Sequence, residues 1–139
     1  LFKFTKNIIA GKSIDVFNHG NHIRDFTYVS DIADGVVKAA TCKIKSIGKR
    51  NSKPNKSTSP FYLFNIGANR PVKLMKFIHE IEKNLGTKAK INFLPLQPGD
   101  VKETKSNIKN IKKTFSYSPS TNVEKGIKEF ISWYLDYYK

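Results

Sequence analysis

Asn18-His19-Gly20-Asn21-His22-Ile23-Arg24-Asp25-Phe26-Thr27-Tyr28-Val29-Ser30-Asp31-Ile32 reads as a turn, a short strand and the start of a helix. His19-Gly20-Asn21 carries turn chemistry. Residues 25–29 alternate and are rich in aromatic and β-branched side chains, which predicts a strand. Ser30 can cap the helix that follows, and Asp31 suits its first turn. Ile32, Val36, Val37, Ala40 and Ile44 then fall on one helical stripe. Arg24 stands at the junction of turn and strand. Of the 25 basic residues in the chain, only Arg24, Arg50 and Arg70 are arginine. The planar, always-charged guanidinium suits a phosphate in a way a lysine point charge does not. The plainer alternative for Arg24 is a surface ion pair with Asp25 or Asp31, worth under ~1 kcal/mol.

Working outward, residues 1–10 predict a helix with Leu1, Phe4 and Ile8 on one stripe, closed by Gly11. Residues 14–17 predict a short strand. Residues 46–60 turn to Lys, Ser, Asn, Pro and Gly, the composition of an exposed, flexible loop. Residues 61–66 are apolar on both faces and predict a buried strand. Pro71 suits the first turn of a helix, whose buried stripe is Leu74, Ile78, Ile81 and Leu85 and whose end is Gly86. Residues 90–94 predict a strand, 95–99 a proline-containing loop and 107–115 a short basic helix. Thr121-Asn122-Val123-Glu124 matches a capping box. The helix it opens carries Val123, Ile127, Phe130, Ile131 and Tyr134 on one face. The order is mixed α/β, with short strands between helices and no pattern of a sandwich or closed barrel.

At 139 residues this is one domain, or one piece of a larger one. Hydrophobic content of 39% and aromatic content of 12% exclude a disordered composition. No apolar run approaches the ~18 residues of a membrane span, and the first residues lack the pattern of a secretory leader. Cys42 stands alone, so no internal disulfide or cysteine-built zinc site can form. The expectation is a cytoplasmic chain with no membrane partner. The net charge of +14 raises the question of nucleic acid. The lysines are scattered over every segment, and base readout would favour arginine or aromatic platforms. They therefore read as surface usage. His19, His22 and His79 lack the neighbours of a metal set. The chain opens on Leu1 in mid-pattern, which fits a fragment.

The run from Arg24 to Ile32 resembles the Arg-Asp-Phe-Thr-Tyr-Val-x-Asp-Ile motif of the extended short-chain dehydrogenase/reductase family, most closely its UDP-glucuronate 4-epimerase branch. Other pieces agree in order and spacing. Phe64-Asn65-Ile66-Gly67 with Pro71-Val72 resembles the family's Tyr-Asn-Ile-Gly-Asn…Pro-Val. Leu96-Gln97-Pro98-Gly99-Asp100-Val101 with Glu103-Thr104 resembles Met-Gln-Pro-Gly-Asp-Val-Pro-Glu-Thr. Tyr117-Ser118-Pro119 with Thr121 resembles Gly-Tyr-Lys-Pro-x-Thr. Two family features are missing: the eight glycines are too far apart for a dinucleotide fingerprint, and no tyrosine is followed four residues later by lysine. The resemblance therefore covers residues 1–139 as the C-terminal, substrate-binding part of an NAD(P)-binding Rossmann-like fold, with the core Rossmann segment missing.

The resemblance implies an isomerase: an NAD-dependent 4-epimerase acting on UDP-glucuronate or UDP-galacturonate for polysaccharide biosynthesis, homodimeric when whole, with NAD and the catalytic residues held upstream. It places the diphosphate on Arg24, the ribose on Asp100 and the base beside Phe17. Gln97, where related epimerases carry arginine, supplies a neutral donor typical of the glucuronate branch. Asn107 departs from the family, standing where an aspartate is usual; it can still cap a helix. That departure keeps an alternative open, an inactive remnant or a basic polyanion-binding module without catalysis. A part built to pack against a Rossmann domain should also expose apolar surface, here the first helix and residues 61–66.

Overall fold

The computed structural model describes residues 1–43 and 61–138. The expected loop at 46–60 and Ile44 of the expected stripe lie outside these residues.

The larger core forms where helices pack on a pair of parallel strands. α1 (Phe2–Ile9) leads into β1 (Ser13–Val16), which pairs with β4 (Lys90–Phe93) in register Ile14 with Ile91 and Val16 with Phe93. Parallel neighbours require a long crossover. The chain makes it through β2 (Ile23–Asp25), α2 (Val29–Thr41), β3 (Pro71–Lys73) and α3 (Leu74–Leu85). Two further helices follow β4, α4 (Lys109–Phe115) and α5 (Val123–Tyr137). Ile8, Ile14, Val16, Phe77, Ile78, Ile81, Ile127 and Ile131 bury one another between α1, β1, α3 and α5. Full burial of each such side chain contributes about 1.5–3 kcal/mol before entropy is charged against it. α3 ends as its sequence requires: Gly86 takes φ +66°, a left-handed cap for which glycine has no steric penalty. A smaller core joins Ile108, Ile111, Phe115 and Tyr117 to Ala39, Phe64 and Ile66.

The second strand pair is antiparallel. Ile23 faces Lys73, Arg24 faces Val72 and Asp25 faces Pro71. Here the structure departs from the sequence reading. The strand of the Arg-Asp-Phe-Thr-Tyr run is 23–25 and not 25–29, and α2 begins at Val29. Tyr28 is its N-cap residue, with its carbonyl taking the amides of Asp31 and Ile32, so Ser30 does not cap. Pro71 opens a strand where a helix start was expected. Its missing N–H is tolerated at the first residue of a strand, and β2 supplies the pairing partner. At α5 the cap is Asn122, whose side chain accepts from the Lys125 amide, and not Thr121. Thr121 instead gives its amide to Asp31.

Two apolar faces are turned outward. α2 buries Asp31 and Gly35 and leaves Val36 and Val37 53% and 59% exposed. Val36, Val37 and Ala40 of the expected stripe are therefore on the solvent side, while Ile32 is half-buried. Gly35 explains the rotation: a Cβ there would lie 3.1 Å from the Tyr117 ring, so this face of the helix lies close against the ring. Residues 61–66 alternate, with Tyr62, Phe64 and Ile66 half-buried and Phe61 and Leu63 exposed. The segment forms no named strand among the described residues, against the expectation of a buried strand. Both faces are the kind a neighbouring layer covers.

Candidate functional site

Parallel strands present their carboxyl ends as a ligand crevice in α/β folds. At that end of the β1–β4 pair, the chain makes two tight connections. After Val16, Phe17 leads into a short 3-10 turn (Asn18–Gly20), and the His19 amide bonds the Leu94 carbonyl at 3.0 Å. After β4, the loop closes as the Asp100 amide bonds the Gln97 carbonyl at 3.1 Å. Gly20 has φ +80°, and a Cβ there would lie 2.7 Å from the Met75 sulfur, so both backbone shape and space call for glycine.

The chain then runs beside β2. Ile23 donates to the Lys102 carbonyl and accepts from the Thr104 amide, at 3.0 and 3.1 Å. This brings Asp100 to Arg24. Arg24 Nη2 donates to Asp100 Oδ1 at 2.9 Å, while Nη1 donates to the Ile23 and Lys102 carbonyls, both at 3.1 Å. Asp100 Oδ1 also takes the Val101 amide at 2.8 Å. Three contacts thus fix the guanidinium, half-buried, and leave its Nε without an acceptor among the described residues. A guanidinium carries five N–H donors in a rigid fork, so donors remain for an anion.

Of the four residues singled out in the sequence, Arg24 and Asp100 are in direct contact. Gln97 sits in the same turn as Asp100, exposed. Phe17 follows β1, half-buried, beside the start of the same loop. Arg24 pairs with neither Asp25 nor Asp31. Successive residues in a strand point to opposite faces, which turns Asp25 away from its neighbour. Arg70 is bound in its loop, donating from Nη2 to the Pro119 carbonyl at 2.6 Å.

Asp25 and Asp31 serve as anchors that sequence reasoning did not foresee. Asp25 accepts from the Asn69 and Arg70 amides, each at 3.0 Å, from the Ser106 amide at 2.8 Å, and from the Ser106 hydroxyl. Burial pushes the Asp25 carboxyl up, but these hydrogen bonds, the Ser106 hydroxyl foremost, outweigh it and hold the group below its ordinary value. Asp31 takes the Ser120 and Thr121 amides at 3.2 and 3.0 Å. The two carboxylates of the motif thus bind the loops at 67–70, 106 and 120–121 to β2 and α2. Asn107 accepts from the Lys109 amide at 3.1 Å without a charge, but the N-cap residue of α4 is Ile108, and no side chain caps the helix. Burial and the Asp31, Asp34 and Asp25 carboxylates push the Tyr117 hydroxyl up, and it donates to the Gly67 carbonyl at 3.1 Å.

His22 was also missed. It is buried, with Nε2 3.3 Å from Asp100 Oδ2 but out of line for a hydrogen bond. The signal was its spacing: residues two apart in extended chain share a face, and His22 and Arg24 both reach Asp100. An apolar cavity of about 330 Å³ lies elsewhere, lined by residues including Phe26, Tyr28, Phe77, Ile127 and Phe130. None of the four candidate residues lines it. Among the described residues no His, Cys, Asp and Glu side chains group as a metal site would require, and no helix is long and apolar enough to cross a membrane.

Residues 1–51 match the NAD dependent epimerase/dehydratase family model. The chain is 44% identical over 142 residues to Protein CapI of Staphylococcus aureus, an alignment that takes in 100% of this chain and 42% of that protein. It is 38% identical over 141 residues to UDP-glucuronate 4-epimerase 1 of Arabidopsis thaliana, covering 99% of this chain and 32% of that protein. Among solved structures, UDP-glucuronic acid 4-epimerase from Bacillus cereus, in complex with UDP-glucuronic acid and NAD, superposes with a TM-score of 0.76 at 28% identity. That superposition covers 94% of this chain and 38% of the other. The chain thus spans about two fifths of the length of the first curated relatives it matches.

Proposed function

We propose, from its kinship with the nucleotide-sugar epimerases of the extended short-chain dehydrogenase/reductase family, that this chain is the UDP-sugar-binding portion of an NAD-dependent 4-epimerase. The sugar would be UDP-glucuronate or UDP-galacturonate. The observation that carries the reading is the arginine oriented by Asp100 and two carbonyls at the carboxyl end of a parallel strand pair.

In this reading Arg24 meets the diphosphate with the donors its three protein contacts leave over, and its fixed pose removes much of the ordering cost of binding. Asp100 accepts from the ribose hydroxyls. Gln97 adds a neutral donor from the exposed turn, and Phe17 packs by the base. Positioning of the sugar is this chain's contribution. NAD, when bound to the whole enzyme, takes up and returns the hydride at C4. This chain's residues do not fit a dinucleotide: its glycines are too far apart for a fingerprint, and it has no Tyr-x-x-x-Lys. NAD and the catalytic groups would belong to other residues of the parent enzyme, expected to be a cytoplasmic homodimer in polysaccharide biosynthesis. The 139-residue chain alone would bind without turnover.

Calorimetric titration with UDP-glucuronate tests the reading. Arg24→Ala should weaken binding by about 1.5–3 kcal/mol, the range for a hydrogen bond to a charged group. Equal affinity in both proteins would overturn it. Binding that falls steeply with salt and does not prefer UDP-glucuronate to tripolyphosphate would favour a polyanion-binding module.

A further inference from the structure

His22 is only 4% exposed, and its Nε2 has no aligned hydrogen-bond partner among the described residues. It faces Asp100 Oδ2 at 3.3 Å, while Asp100 Oδ1 holds Arg24 at 2.9 Å. One carboxylate therefore stands between a histidine and an arginine. The backbone fixes this arrangement from both sides. The His22 carbonyl takes the Leu74 amide at 2.8 Å, and the adjoining Ile23 is bonded to Lys102 and Thr104. The other charged residues on the segments packed against His22 are Lys73, Lys102 and Glu103. All three side chains are exposed, so water and salt screen them.

We propose that His22 is a positioning residue for the anion site, whose protonation sets how Asp100 divides its charge between the imidazole and Arg24. The inference rests on the reading of Arg24 as the diphosphate ligand. Neutral His22 offers Oδ2 at most an uncharged N–H from Nε2, and the charge of Asp100 is left largely to Arg24. Imidazolium donates to Oδ2 and adds a positive charge beside the site. The carboxylate then neutralises less of the guanidinium, and Arg24 meets a phosphate more strongly. The expected sign is tighter binding of the nucleotide sugar as pH falls through the range where imidazoles change charge.

The experiment measures UDP-glucuronate affinity at several pH values between about 5.5 and 8, where histidine is the side chain that ordinarily titrates. The ligand's diphosphate diester keeps its charge over that range. The proteins compared are the wild type, His22→Gln and His22→Leu. Glutamine keeps a donor near Nε2 but does not titrate; leucine removes the donor. Wild type should bind about fivefold or more tightly at the acid end, the lower bound of a typical coupling. His22→Gln should hold wild-type affinity at pH 8 with a flat profile, and His22→Leu should be weaker throughout. Matching thermal melts confirm that both variants fold, and if leucine does not fold, the Gln profile alone decides. Identical pH profiles for wild type and His22→Gln would overturn the proposal while leaving Arg24's role intact. No UDP-glucuronate binding by wild type at any pH would remove both.

Discussion

Replacing Asp25 with asparagine should unfasten two loops at once, at 69–70 and at 106. Its Oδ2 takes the Asn69 and Ser106 amides and the Ser106 hydroxyl, and its Oδ1 takes the Arg70 amide. Asparagine can present one oxygen where Oδ2 stands, but its amide group then meets the Arg70 N–H donor to donor. The remaining bonds lose their charge, which roughly halves the strength of each. Bonds to charged groups contribute about 1.5–3 kcal/mol net when shielded. Only the Ser106 bonds are partly buried, the amides of 69 and 70 being exposed to water. The loss should therefore be about 2–4 kcal/mol, a drop in Tm of about 6–14 °C for a chain of this size. The pH dependence follows from the depressed Asp25 carboxyl. Its stabilisation is present above the unfolded-state value near 3.8 and is lost as pH falls through the lower folded value. Melts followed by circular dichroism from pH 7 to pH 3 should show a constant gap between wild type and Asp25→Asn near neutrality, closing below about pH 4. A Tm change under about 2 °C at pH 7, or a gap unchanged at pH 3, would refute the anchoring role.

Other perturbations test other parts of the fold. Tyr117→Phe removes the buried hydroxyl that satisfies the Gly67 carbonyl, and should cost about 1–3 kcal/mol in denaturant titration. Gly20→Ala brings a Cβ to within 2.7 Å of the Met75 sulfur at a left-handed φ; it should destabilise by about 1–3 kcal/mol, and a neutral result would mean the turn shifts freely. With Val36, Val37, Phe61 and Leu63 all exposed, the isolated chain should bind a dye for apolar surface in its folded state; a cooperative melt with no dye signal would argue against an uncovered face.

The sequence alone carried the elements whose signals are local. α3 and α5 were legible because a 3.6-residue apolar period needs no distant partner, nor does the glycine that ends α3, and β1 and β4 were placed within a residue. Arg24 and Asp100 stood out as residue types, and the motif order carried the family resemblance. Tertiary structure decided what depends on segments far apart in the chain. β2 ends at Asp25 because the 102–104 segment and β3 pair with 23–25 and not with 27–29. α2 turns its valines outward because Asp31 is claimed by the 120–121 amides and Gly35 by the Tyr117 ring. Asp31 reads as a helix-start residue and Asp25 only as an alternative ion-pair partner for Arg24, yet both hold loops. Arg24 lies 76 residues from the carboxylate that orients it, and no periodicity reports a contact at that separation. Local patterns reflect the free energy of a helix or strand against its own surroundings; which face is buried, and which acid meets which base, is set by packing between elements.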